Sequence, residues 1–245
     1  MNHYVFDCKT YYKGDRFLSN ERFLFYTLKR MEFMHGLGAI TEPYLRPYYE
    51  CEFIDSGISV VMLLENGGHI TLHTFPRRHC YYMDILTEKD EFEKAKAYLR
   101  KFMPYIEEKS CIRALSSDGI NERYDRKRHF GPHLIYEVEN TEMDMSTMFK
   151  RLKDLPPLIN MKAICQPIVV EDKERIDGIV IIAESHISIH YCKESHKAYV
   201  DIFSCMPFDY DTTDKYVSKL GKILLKKVYA RATKKEKGTV YYADN

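Results

Sequence analysis

Apolar and polar positions along the chain follow one pattern twice. Between residues 20 and 34, Phe23, Leu24, Tyr26, Thr27, Leu28 and Met31 recur at the spacing of a helix with one apolar face, and Gly36 supplies its stop. Runs rich in β-branched residues follow at 57–64 and 69–75, with the length and composition of buried strands, and a further helix is predicted at 90–105. After residue 130 the order returns. A strand at 134–138 matches one at 4–8, and a helix starts near Met145, expected to stop before Pro156-Pro157 because proline cannot continue it. Strands are predicted at 178–183 and 186–191. A closing helix is predicted at 213–228, with Tyr216, Leu220, Ile223, Leu224 and Val228 on its apolar side and a solvated basic face over 215–237.

The repetition extends to individual residues. His69-Ile70-Thr71-Leu72-His73 aligns with His186-Ile187-Ser188-Ile189-His190 at an offset of 117. The same offset, without a gap, sets His79 on His196, Tyr82 on Tyr199, Asp84 on Asp201 and Ile85 on Ile202. His3-Tyr4-Val5-Phe6 parallels His133-Leu134-Ile135-Tyr136 at a larger offset, so the first copy carries extra residues between these points. The chain therefore reads as a first repeat at 1–120, a polar linker at 121–130 and a second repeat at 131–245. Strands in meander order with helices on one side predict an α+β unit whose antiparallel sheet is covered on one face. Each bare face needs a partner, and the other copy is the obvious one. The expected architecture is a four-layer αββα sandwich with two face-to-face antiparallel sheets.

Charge and composition narrow the functional classes. Thirty-seven Lys+Arg against 36 Asp+Glu leave a net charge of +1, which gives no electrostatic case for a nucleic-acid partner. The cationic stretch NERYDRKRH at 121–129 could touch phosphate, but a solvated connector is the simpler role. The longest apolar run, Gly57 to Leu64, is far short of the roughly 20 residues that span a bilayer. The first residues lack the basic-then-apolar order of a signal peptide, so no membrane partner is expected. Seven cysteines without paired spacing read as reduced thiols in a cytoplasmic protein, and neither copy has Cys/His pairs at zinc-ligand spacing, so no metal is expected.

The chemistry concentrates in Glu184-Ser185-His186-Ile187-Ser188-Ile189-His190, preceded by Asp177-Gly178 and followed by Asp201-Ile202-Phe203-Ser204-Cys205. With Gly131, His133 and Leu134 upstream, this stretch resembles S-adenosylmethionine decarboxylase, and the resemblance covers most of 131–238. It implies a chain that cuts itself before Ser185: the hydroxyl attacks the Glu184 carbonyl, and elimination leaves a covalently bound pyruvoyl group on the new terminus. The products would be a chain of 184 residues and one of 61. The pyruvoyl ketone would form a Schiff base with a substrate amine and act as the electron sink when CO₂ leaves, with no metal or diffusible cofactor. Cys205 would return the proton to the substrate carbon.

The first copy has Gly68 where the second has Ser185, and Glu88 where it has Cys205. It makes a tight turn of Glu65-Asn66-Gly67-Gly68 in place of the cleavable bond. It keeps His73, and Ser56-Gly57 looks like the family's Ser-Gly, whereas the second copy has Asp177-Gly178 there. The resemblance implies one composite site, with Ser185 and Cys205 from one copy, and His73 as base with Ser56 as its partner from the other. His190 would fall in the inactive counterpart, where a packed strand histidine is an equally good reading.

Substrate contacts depart from the family. Arg77 stands where a ribose-binding Glu is expected, although a cation accepts no hydroxyl hydrogen bond, while Glu194 occupies the matching place in the other copy. The position of the adenine-stacking aromatic falls on Glu50, with Tyr49 or Phe53 as substitutes or as plain core. Three readings follow for a small-molecule substrate. They are decarboxylation of S-adenosylmethionine for spermidine synthesis, decarboxylation of arginine or ornithine with Glu50 and Glu52 pairing the basic group, and a non-catalytic regulatory paralogue. The fused pair could act as a monomer or a homodimer.

Overall fold

The computed structural model describes residues 1–11, 15–49, 55–115, 121–183, 185–235 and 239–240. The chain divides into two compact units, one of Met1–Ser116, Lys127–Phe130 and Arg231–Asn245, the other of Ser117–Arg126 and Gly131–Ala230. Among the described residues, no helix is long and apolar enough to cross a membrane.

The first unit opens with β1 (Asn2–Lys9), then α1 (Asp15–Leu18) and α2 (Glu21–His35). Asn20 caps α2 by accepting the Phe23 N–H, and Gly36 closes it in the left-handed conformation that glycine adopts without strain. Strands β2 (Tyr44–Tyr48), β3 (Gly57–Leu64), β4 (Gly68–Phe75) and β5 (Cys80–Thr87) precede α3 (Phe92–Phe102) and β6 (Cys111–Leu115). They form one six-stranded antiparallel sheet in the order β2-β3-β4-β5-β1-β6. Alternation decides what each face carries. Tyr4, Phe6, Val60, Met62, Ile70, Leu72 and Met83 pack with Leu24, Leu28 and Met31 of α2 and with Leu99 of α3. Their neighbours in the strands, among them Asp7, Ser59, His69, Thr71, His73 and Asp84, are buried polar groups on the other face.

The second unit repeats this plan with β7 (His129–Glu139), α4 (Met145–Leu158), β8 (Ile168–Glu171), β9 (Arg175–Ile182), β10 (Ser185–Cys192), β11 (Lys197–Phe203) and α5 (Tyr210–Val217). The chain continues as β12 (Lys222–Lys235) and β13 (Thr239–Val240). The seven-stranded sheet has the order β13-β12-β7-β11-β10-β9-β8. Leu134, Tyr136, Val180, Ile187 and Val200 pack against Met148, Leu152 and Leu155 of α4 and Val217 of α5. Each unit is thus one sheet with helices on one face.

The duplication is visible in backbone detail. His69 pairs with Leu86 and His73 with Tyr82, as His186 pairs with Phe203 and His190 with Tyr199. The turns that follow place His79 and His196 at φ 53° and 51°, an uncommon conformation for a residue with a Cβ.

Three expectations are corrected. The helix expected over 213–228 ends at Val217, and the rest becomes β12. The apolar spacing fits a helix, but Gly221, packed where a Cβ would lie 2.3 Å from Glu139 O, turns the chain into a strand that joins β7. Helix α4 runs through Pro156 and Pro157, which sit in its last turn; they forgo the bonds to the Leu152 and Lys153 carbonyls, and the helix ends just after them, with Ile159 N–H still reaching Leu155 O. The stretch 121–130 is more than a connector. Asn121 Oδ1 accepts the Val228 N–H, the Glu122 N–H reaches Val228 O, and β7 already begins at His129.

Candidate active site

Ser185 opens β10 after a two-residue connection from β9, pairs with Ile182, and is fully buried. Antiparallel return of β11 brings Cys205 back to it across 20 residues of chain. The Cys205 N–H donates to Ser185 Oγ at 2.9 Å, and the Cys205 thiol reaches Ala183 O at 3.6 Å. Ser185 and Cys205 are therefore brought together, at the bond expected to break. Glu184, the residue before Ser185, lies outside the described residues.

The sheet behind Ser185 carries two buried acid–imidazole groups. His190 Nδ1 lies 2.9 Å from Asp177 Oδ1. Asp201 is shared by His133, in a short contact, and by His186 at 3.4 Å, and none of the three side chains reaches solvent. Asp201 stood out in the sequence as a repeat match and as the head of the Asp201–Cys205 stretch, without a role; two-residue alternation sets it on the same face as His133 and His186.

In the first unit His73 is fully buried, and its Nδ1 lies 2.8 Å from the hydroxyl of Ser59. Ser59 is thus a partner of His73 that the sequence reading, which expected Ser56, did not name. Ser56 stands just before β3, whereas Ser59 is opposite His73 in the β3–β4 register, as Asp177 is opposite His190. The shared Gly at 57 and 178 drew the alignment to Ser56. The connection at 65–67 is one residue longer than that at 183–184, and the register moves accordingly.

Gly68 stands where Ser185 stands, and a Cβ there would lie 2.4 Å from Leu86 O. A serine at this place has no room. The turn before it carries Asn66 at φ 62° and Gly67 at φ 75°, the left-handed residues that Glu65-Asn66-Gly67-Gly68 predicts. Arg77 is exposed in the turn Pro76–Arg78, where its neighbour Arg78 pairs with Asp55. Tyr49 is 61% exposed and so is not core. Glu50 and Phe53 lie outside the described residues.

Arg231 was missed. It was read into the solvated basic face of a helix, yet it is fully buried. Its Nε donates to Asp7 at 2.7 Å and its Nη1 to Asp84 at 2.6 Å. Burial opposes its charge, but Asp7 and Asp84 outweigh that and hold the guanidinium pKa above its ordinary value. Removing Arg231 would leave Asp7 and Asp84 as uncompensated buried charges, at about 3–5 kcal/mol.

Fold and site together define a duplicated α/β protein in which one repeat holds a buried serine hydroxyl against a cysteine. A family model described as S-adenosylmethionine decarboxylase matches residues 38–108 and 133–231, one segment in each repeat. The S-adenosylmethionine decarboxylase proenzyme of Methanococcus aeolicus is 32% identical over 82 residues, 32% of this chain and 70% of that protein. The proenzyme of Thermodesulfovibrio yellowstonii is 34% identical over 79 residues, 31% of this chain and 58% of that protein. A crystal structure of the adenosylmethionine decarboxylase from Aquifex aeolicus aligns at a TM-score of 0.39 and 23% identity, over 46% of this chain and 98% of that one. The chain belongs to the S-adenosylmethionine decarboxylase family.

Proposed function

We propose that this chain is a self-cleaving, pyruvoyl-dependent decarboxylase that acts on S-adenosylmethionine and supplies the aminopropyl donor for spermidine. The observation that carries this reading is Ser185, fully buried at the head of β10 with its Oγ on the Cys205 amide and the Cys205 thiol beside the preceding backbone. Attack of Oγ on the Glu184 carbonyl carbon forms a C–O bond and breaks the C–N bond, and the hydroxyl proton passes to the departing nitrogen. The product is an ester with a free amine at residue 185. Loss of the residue-185 α-proton then forms Cα=Cβ and breaks Cβ–Oγ, with Oγ leaving in the Glu184 carboxylate. Hydrolysis with release of ammonia completes the pyruvoyl group, which is built from the serine's own carbons and fits the space its side chain fills.

His73 is the proposed base for elimination. Ser59 fixes its ring orientation, as a base requires. In this proposal the two repeats carry complementary residues, Ser185 and Cys205 in one and the Ser59–His73 pair in the other. Each repeat lacks what the other keeps. The pyruvoyl ketone supplies the electron sink for loss of CO₂, and Cys205 is the proposed proton donor to the substrate carbon.

A second reading is decarboxylation of arginine or ornithine, for which Arg77, exposed in the turn Pro76–Arg78, is no handicap. Release of CO₂ from carboxyl-labelled S-adenosylmethionine, arginine and ornithine separates the readings. Turnover of the first alone is expected, with none by Ser185→Ala. Turnover of a basic amino acid instead would move the assignment to the second reading, and release from none of the three would reject a decarboxylase.

A further inference from the structure

The partner of the Ser185 hydroxyl is a backbone group, and a backbone donor is aimed only as well as its peptide is held. Two features hold the Cys205 peptide. On one side β7 lies against it at Gly131, where a Cβ would stand 1.8 Å from Ser204 O and 3.1 Å from Cys205 Cα. Only glycine permits that approach. The adjoining hydrogen bond, Ser204 N–H to Pro132 O at 3.1 Å, keeps the strands at this separation. On the other side the fully buried Ser204 closes a small ring, its Oγ accepting the Met206 N–H at 3.0 Å and donating to Met206 O at 2.7 Å. The first repeat keeps only part of this: Thr87 Oγ1 accepts the Lys89 N–H at 3.2 Å, as Ser204 Oγ accepts the Met206 N–H, but it has no glycine at the close approach. By strand register, Met1 stands for Gly131, Thr87 for Ser204, Glu88 for Cys205 and Gly68 for Ser185.

We infer that Gly131 and Ser204 are positioning residues that aim the Cys205 N–H at the oxygen which first attacks and then leaves during cleavage at Ser185. The inference rests on the self-cleavage reading. In the acyl shift the N–H fixes Oγ beside the bond it attacks. In the elimination the Cβ–Oγ electron pair stays on Oγ, which departs as part of a carboxylate, and a donor already directed at that atom stabilises the charge as it develops. Charge on Oγ grows most in the second step. A misaimed donor therefore slows elimination more than the acyl shift, and the ester accumulates.

The test follows freshly made Gly131→Ala precursor by intact mass, with and without hydroxylamine, which splits the ester to leave an intact Ser185 terminus. Pyruvoyl formation should slow by about tenfold to a hundredfold, with the hydroxylamine-sensitive species building up. Gly221→Ala is the control, because its Cβ would lie 2.3 Å from Glu139 O in the same unit but away from Ser185. It should lower the melting temperature and leave the cleavage rate unchanged. Should Gly131→Ala fail to fold, Ser204→Ala reads the same claim from the other side, with slowing of about severalfold expected. Wild-type rates in both site variants would overturn the inference and leave the decarboxylase reading intact. Equal slowing in Gly131→Ala and Gly221→Ala would also overturn it, as a loss of stability alone. A wild-type chain that never cleaves would overturn both.

Discussion

A hydroxyl 2.8 Å from Nδ1 of a buried histidine satisfies a polar atom that burial would otherwise penalise, and it selects one orientation of the ring. Ser59 holds that position for His73; Ser56 stands outside the β3–β4 register. Ser59→Ala is accordingly expected to slow the ester-to-pyruvoyl step by about tenfold, while Ser56→Ala stays near the wild-type rate. A time course of cleavage before residue 185 checks both, and the reverse order would return the role to Ser56. The histidine was legible from its repeat partner His190, but the serine was not. Seeing Ser59 needs the length of the β3–β4 connection, and two glycines in similar runs point to Ser56 instead.

At the scale of elements, the end of α2 and the start of α3 are tied through one carboxylate. Glu91 lies 3.1 Å from His35 Nδ1 in the last turn of α2, and it accepts from Lys94 Nζ at 2.8 Å. Burial opposes its ionisation, but the hydrogen bonds from Lys94 and His35 outweigh that and hold its pKa below the ordinary value. A depressed carboxylate adds stability above its unfolded pKa of about 4.3, and that stability is lost as pH falls through the lower folded value. Thermal melts between about pH 6 and pH 3 should therefore show a steeper acid-side decline in wild type than in Glu91→Gln; parallel curves would deny the tie. The helices and meander strands were readable from periodicity because each buries one face within its own repeat. β12 was not, since Tyr216, Leu220, Ile223, Leu224 and Val228 satisfy helical spacing equally well. What decides it is the open edge of β7, a partner more than 80 residues away in the chain.

At the scale of the molecule, a gapless offset of 117 survives because both copies keep the same strand register, so the duplication could be read from residues alone. Arg231 could not. Its partners Asp7 and Asp84 lie 224 and 147 residues away, and nothing local distinguishes it from the lysines around it. One repeat has no room for a serine at Gly68, and the other has Asp177 where the first has Ser59. The central claim is that the chain breaks itself at Ser185, and intact mass spectrometry of the purified protein addresses it most directly. The prediction is two species, of 184 and 61 residues, the smaller carrying a pyruvoyl terminus, with Ser185→Ala remaining whole. A single uncut wild-type chain of 29.1 kDa would contradict it.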